Sequence, residues 1–226
     1  MSYKWLLFDA DGTLFDFHAA SMDALAQTFA YAGIAHTDEH VQLYRRINTA
    51  CWEEFERGEI SAEILRSERF RRMNHELGAS HDPLDLSKQY IMHLSQGNQL
   101  LPGATDLLFV LQKRFNMLLI TNGLKEVQRP RFAATNMSRW FSEIVISDEV
   151  GFAKPDPTIF DICFERMGHP DKSEVLIIGD SLTSDMVGGL NYGIDTCWYN
   201  PTGKTRPIDM PITYTIRTLY DLVPLL

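Results

Sequence analysis

Trp5-Leu6-Leu7-Phe8-Asp9-Ala10-Asp11-Gly12-Thr13 is a four-residue apolar run that stops at two carboxylates spaced two residues apart. A run this short, bounded by turn residues, reads as a strand buried on both faces, because a strand with one wet face would alternate apolar and polar positions. Gly12 permits a sharp turn at its end, and Asp9 is expected to point into the crevice that the strand end opens. Four more runs of this kind lie at 117–120, 144–146, 175–178 and 196–199. Helical patterns separate them at 104–114, 125–136, 158–167 and 183–192. Strands alternating with helices imply an α/β fold, with a parallel sheet and right-handed crossovers. Ligands in such folds gather at the carboxyl ends of the strands.

The alternation breaks between residues 16 and 100, where apolar residues recur at helical spacing instead. Met22, Leu25 and Phe29 form one face, Leu43, Ile47, Cys51 and Phe55 a second, Phe70, Met73 and Leu77 a third, and Leu86, Tyr90 and Leu94 a fourth. Gly33, Gly58 and Gly78 stand where these helices should stop, and Asp38, Ser61 and Asp82-Pro83 where they should start. The expected organisation is an α/β core of residues 1–16 and 100–226 carrying an all-helical insert of residues 17–99.

Composition narrows the field of functions. The chain has 226 residues, 45% hydrophobic and 23% charged, which suits a folded globular protein and excludes disorder, collagen-like repeats and small disulfide scaffolds. Thirty acidic against 21 basic side chains give a net charge of −9, and a surface of that sign repels nucleic acid backbones and anionic membranes. The three cysteines, Cys51, Cys163 and Cys197, are odd in number and far apart, which argues for buried thiols in a reducing compartment. Asp9 cuts the first apolar run too early for a secretion signal, and no stretch approaches the roughly 20 apolar residues of a membrane span. The cytoplasm is the expected location, for a monomer or a small homo-oligomer.

Reactive residue types concentrate at the strand ends. Asp9 and Asp11 follow the first strand, and Thr121-Asn122-Gly123 follow the second at a helix start, where an anion is favoured. Lys154-Pro155 comes after the third, and Gly179-Asp180-Ser181-Leu182-Thr183-Ser184-Asp185 brings two more carboxylates after the fourth. Each segment alone can also be read as a turn or a capped helix start. Their order, one at each successive strand end, points to a binding crevice. Carboxylates crowded there repel one another by about 4 kcal/mol per pair at 4 Å and an effective dielectric near 20, so the crevice calls for a cation. Mg²⁺ suits it, since that ion takes oxygen ligands and binds through one or two carboxylates plus substrate phosphate.

These four segments resemble the four motifs of the haloacid dehalogenase superfamily, mostly magnesium-dependent phosphohydrolases with an aspartate nucleophile, and the resemblance spans the whole chain. It implies a Rossmann-like core with a helical cap inserted after the first motif. By that resemblance Asp9 is the nucleophile and Asp11 the general acid and base. Thr121, Asn122 and Lys154 hold the phosphoryl oxygens. Asp9, Asp180 and the main-chain carbonyl of Asp11 bind Mg²⁺, with Mn²⁺ or Co²⁺ as substitutes, while Asp185 and Thr13 support from behind. The Gly179–Asp185 motif, the later Asp195-Thr196-Cys197-Trp198-Tyr199-Asn200-Pro201, and Asn48, Trp52, Gly58, Arg69 and Phe70 of the insert are similar to the bacterial pyrimidine 5'-nucleotidase branch.

The resemblance thus implies a nucleoside monophosphate as substrate, with Trp52, Arg69 and Phe70 as specificity residues of the cap. Alternatives within the superfamily are a phosphatase of phosphoglycolate or a sugar phosphate, a sugar-phosphate mutase, and a 2-haloacid dehalogenase. The dehalogenases lack an acid at the position of Asp11, so Asp11 favours phosphate esters. A two-component receiver module also carries a phosphate-accepting Asp, but it is a single domain about half this long with no cap.

Overall fold

The computed structural model describes residues 3–226. The chain forms two compact units: one runs through Asp16 and resumes over Gln99–Lys125 and Phe132–Leu226, the other comprises Phe17–Asn98 and Glu126–Arg131.

In the first unit, strands β1 (Trp5–Phe8), β2 (Asn116–Thr121), β3 (Glu143–Ile146), β4 (Val175–Gly179), β5 (Asp195–Tyr199) and β6 (Tyr214–Ile216) form a sheet in the order β3-β2-β1-β4-β5-β6. Each neighbouring pair is parallel. β1 lies centrally, Leu7 in register with Leu118 of β2 on one side and Ile177 of β4 on the other. Its apolar run is explained by burial on both faces. Leu6 and Phe8 join Leu119, Leu176 and Ile178 in one core, whereas Leu7 joins Leu118, Ile120 and Ile177 in the other. The five strands anticipated from apolar runs are all present. β6 was not anticipated, because three edge residues that bury only Ile216 leave almost no pattern to read.

The helices of the second unit are α1 (Phe17–Ala32), α2 (Asp38–Glu56), α3 (Ala62–Leu77) and α4 (Pro83–Leu94). Their starts are capped by side chains: Thr37 accepts from the His40 N–H, Ser61 from Ile64 and Asp82 from Leu84. Asp38, expected to start α2, is its first residue, and the cap is Thr37 just before it. Gly78 closes α3 in the left-handed conformation. The interior is aromatic, with Tyr44, Phe70 and Tyr90 mutually in contact at centroid distances of 5.5 to 5.7 Å.

Around the sheet lie α5 (Ala104–Leu111), α6 (Lys125–Ala134), α7 (Ser147–Val150), α8 (Pro157–Arg166) and α9 (Val187–Tyr192). Two departures from a plain α/β alternation occur here. Residues 126–131 of α6 belong to the helical unit, where Arg66 pairs with Glu126 at 3.0 Å and Arg131 Nε donates to the Gly97 carbonyl at 2.7 Å. The expected helix at 183–192 opens instead as a π-helical turn, Leu182–Met186, that precedes α9. Both the Asp185 and Met186 N–H groups there donate to the Ser181 carbonyl. The three cysteines are buried free thiols, and no described helix is long and apolar enough to cross a membrane.

Candidate active site

The carboxyl ends of β1, β2 and β4 deliver the site. The Asp9 N–H donates to the Ile178 carbonyl at 2.9 Å, which extends the β1–β4 ladder by one residue and fixes where the Asp9 side chain leaves the sheet. Thr13 Oγ1 donates to Asp9 Oδ2 at 3.1 Å and lies 3.5 Å from Asp180 Oδ1. Gly12, at φ +84°, is required twice over. An L side chain is strained at that angle, and a Cβ would come within 2.5 Å of the Asp180 carboxylate. Gly179 serves likewise, since a Cβ there would fall on the Asp185 carboxylate. Asp11 sits half-buried in this turn, which is closed by the Leu14 and Phe15 N–H groups donating to Ala10 O.

Lys154 organises the cluster. It is 1% exposed, and its Nζ donates to Asp9 Oδ1 at 2.7 Å, Asp185 Oδ1 at 2.6 Å and the Ile120 carbonyl at 3.0 Å. All three ammonium protons therefore have acceptors. The second oxygen of Asp185 accepts the Ser181 N–H at 3.0 Å. Asp9, Asp180 and Asp185 each place an oxygen within 4.8 Å of the others, with Asp9 and Asp185 buried and Asp180 exposed at the rim. At the end of β2, Thr121 Oγ1 accepts from the Gly123 N–H at 3.1 Å, and the Asn122 amide pairs with the main chain of Lys154.

The charges explain one another. Burial pushes the Asp9 carboxyl well above the usual carboxylate range; Lys154 pulls it back while Asp185 and Asp180 push it further. Packing around the Asp180 carboxylate and the charge of Asp185 raise it as well. Burial works against the Lys154 ammonium, yet Asp185 and Asp9 outweigh it and hold its pKa above that of a free lysine. Three carboxylates share one ammonium, so in their ionised form they leave negative charge uncompensated, and an oxygen-rich pocket with that excess fits a hard divalent cation.

The site residues expected from sequence thus fall in two places. Asp9, Thr13, Asn122, Lys154, Asp180 and Asp185 are linked by direct contacts, with Asp11 and Thr121 on the same strand-end turns. Trp52, Arg69 and Phe70 lie in the helical unit. Phe70 is fully buried against Tyr44 and Tyr90, a packing position, whereas Trp52 is half-buried beside Phe55. Arg69 is 2% exposed, with Nη1 donating to Asn48 Oδ1 at 2.9 Å and its guanidinium 4.8 Å from the Tyr90 ring centroid. Two contributors had no role assigned from sequence. Trp198 donates its indole N–H to the Asp180 carbonyl at 3.0 Å, and the Ile120 carbonyl accepts from Lys154. Trp198 lies in β5, opposite Gly179 in the register, and only strand pairing reveals that proximity.

A Rossmann-like parallel sheet whose central strand ends in the Asp9–Thr13 turn, with a buried lysine tied to two carboxylates, defines a class of hydrolase. The chain belongs to the haloacid dehalogenase-like hydrolases, whose family model matches residues 3–193. It is 35% identical to the pyrimidine 5'-nucleotidase YjjG of Escherichia coli (strain K12), over 100% of this chain and 99% of that protein. It is also 35% identical to the pyrimidine 5'-nucleotidase PynA of Streptococcus pneumoniae (strain ATCC BAA-255 / R6), over 99% and 94% respectively. Among solved structures, the HAD-hydrolase YfnB of Bacillus subtilis bound to magnesium superposes with a TM-score of 0.94 at 37% identity, covering 100% of this chain and 99% of that one.

Proposed function

We propose that the protein is a Mg²⁺-dependent phosphomonoester hydrolase that works through an aspartyl-phosphate, acting as a 5'-nucleotidase on pyrimidine nucleoside monophosphates. The observation that carries this reading is the buried Lys154 ammonium held between Asp9 and Asp185 at the end of the central strand. It steers a carboxylate nucleophile and presents positive charge where phosphoryl oxygens must sit.

Asp9 attacks phosphorus through a carboxylate oxygen, forming an O–P bond as the bond to the leaving alkoxide breaks. Asp11 gives its proton to that alkoxide. The ionised Asp11 then takes a proton from water, whose oxygen attacks the same phosphorus. The bond to Asp9 breaks, which releases inorganic phosphate and restores the carboxylate. Thr13 and Lys154 each donate to one Asp9 oxygen, which fixes the orientation of the carboxylate, so the nucleophile does not need to reorient between steps. Thr121, the Asn122 main chain and Lys154 meet the charge spread over the phosphoryl oxygens. Asp9, Asp180 and the Asp11 carbonyl would hold Mg²⁺, which when bound neutralises the phosphate and the carboxylate crowd. Asp185 is engaged by Lys154 and the Ser181 N–H, so its part is orientation.

Full-length similarity to two pyrimidine 5'-nucleotidases supports the nucleotide preference, with Trp52 and Arg69 as candidate base contacts. The reducing cytoplasm suits three buried free thiols. A phosphate-release panel tests the reading. dUMP, UMP and dTMP should be hydrolysed about 10- to 200-fold better in kcat/KM than purine monophosphates, the range that packing alone discriminates. Chelation should remove the activity, and Mg²⁺, Mn²⁺ or Co²⁺ should restore it. Higher kcat/KM for phosphoglycolate or a hexose phosphate than for every nucleotide would end the nucleotidase reading and keep the hydrolase.

A further inference from the structure

Asn122 differs from the other polar residues at the strand ends in the partner it takes. Its Nδ2 donates to the Lys154 carbonyl at 2.8 Å, and its Oδ1 accepts the Lys154 N–H at 2.8 Å. An asparagine side chain offers one carbonyl oxygen and two N–H bonds, so this reciprocal pair engages the oxygen and one of the donors. The two residues are 32 apart in sequence. Lys154 lies in the irregular segment between α7 and α8, where neither helix nor strand ladder satisfies its main chain. Pro155 follows and contributes no N–H of its own. The Asn122 amide thus supplies for residue 154 what a ladder supplies elsewhere, a partner for both main-chain polar groups.

We propose that the Asn122 side chain is a positioning group for Lys154, acting on turnover through the place of the ammonium and not as a ligand of the phosphoryl group. The inference rests on the role given to Lys154 above. A lysine side chain is long and flexible, and anchoring its main chain narrows the positions from which Nζ can meet Asp9, Asp185 and the Ile120 carbonyl together. Asn122 fixes that position from the end of β2, the strand next to the one bearing Asp9. A displacement of about 1 Å at such a group is enough to cost on the order of 10²-fold in rate.

A double-mutant cycle over Asn122→Ala and Lys154→Met tests this, with kcat and KM measured on UMP and folding checked by circular dichroism and thermal melting. Asn122→Ala should lower kcat about 10- to 100-fold while KM stays within about 3-fold. The double variant should be no slower than Lys154→Met alone, since a group acting through Lys154 has nothing left to position. Asn122→Asp keeps the acceptor for the Lys154 N–H and loses the donor to its carbonyl. With a carboxylate oxygen set against that carbonyl its kcat should fall at least as far as that of alanine, and it replaces Asn122→Ala in the cycle if the alanine variant does not fold. Multiplicative losses in the double variant, or a raised KM with unchanged kcat in Asn122→Ala, would overturn the inference and make Asn122 a direct phosphate ligand. Full activity of Lys154→Met would instead remove the role of Lys154 itself, and the inference with it.

Discussion

Both units of this chain bury charge, and they do so on opposite terms. At the strand ends Lys154 has two carboxylates and a carbonyl within 3.0 Å, and Asp185 is bonded through both oxygens. In the helical unit Arg69 is buried to a similar degree, yet no carboxylate pairs with it among the described residues. Its Nε lacks a partner, and its support comes from Asn48 and the faces of Tyr90 and Phe70. The first arrangement specifies one geometry, as a reaction needs when charge moves between fixed atoms. The second sets a guanidinium among aromatic rings with the Asn48 amide oxygen as acceptor, a packing arrangement. Charge is thus buried by ion pairing in one unit and by aromatic packing in the other.

Replacing the nucleophile gives the largest expected effect. Asp9→Asn should lower turnover by about 10⁴-fold or more, because an amide does not attack phosphorus. Lys154 keeps Asp185 as a partner, so circular dichroism should report an intact fold. Residual activity above a small fraction of wild type would show that the crevice does not work through Asp9.

Lys154→Met comes next and probes both sides of the comparison. Removing one partner from a buried pair strands the other, and a loss of about 3 to 5 kcal/mol in stability is expected by denaturant titration. The loss in kcat should be about 10² to 10³-fold, as for removal of a donor aimed at developing charge.

Arg69→Met gives the smallest effect and sharpens the contrast. Its guanidinium has no ion pair to break, so an apolar side chain of similar length should cost about 2 kcal/mol, for the ring contacts and the Asn48 hydrogen bond. Discrimination among nucleotides should fall more than hydrolysis of the preferred one. A stability loss matching that of Lys154→Met would mean that both units bury charge on the same terms.

The legible part of the fold was the part recorded locally. Leu6, Leu7 and Phe8 are buried on two faces, and a strand in that setting can only be an unbroken apolar run. The α3 helix ends at Gly78 because its backbone turns left-handed there. β6 leaves no sequence signal because an edge strand of three residues has too few buried positions to form a pattern. The π-helical turn at 182–186 has a helical composition, and the side-chain bonds of Ser181 and Asp185 that accompany it leave no local pattern. The candidate site divides in the same way: Asp9, Asp11, Lys154, Asp180 and Asp185 could be picked out as reactive types at strand ends, whereas the Trp198 bond to Asp180 depends on β5 lying beside β4.

By itself the sequence determined which residues are strand, helix and turn in most of the chain, and which reactive side-chain types stand at the strand ends. Hydrophobic spacing and residue type are properties of a few neighbours along the chain. Tertiary structure alone decided the strand order, the grouping of residues 126–131 with the helical unit, and the contacts of Lys154 and Asn122. Lys154 meets Asp9 across 145 residues and the Asn122 amide across 32. Contacts over such separations follow from parallel strands being laid side by side, and no local pattern encodes them.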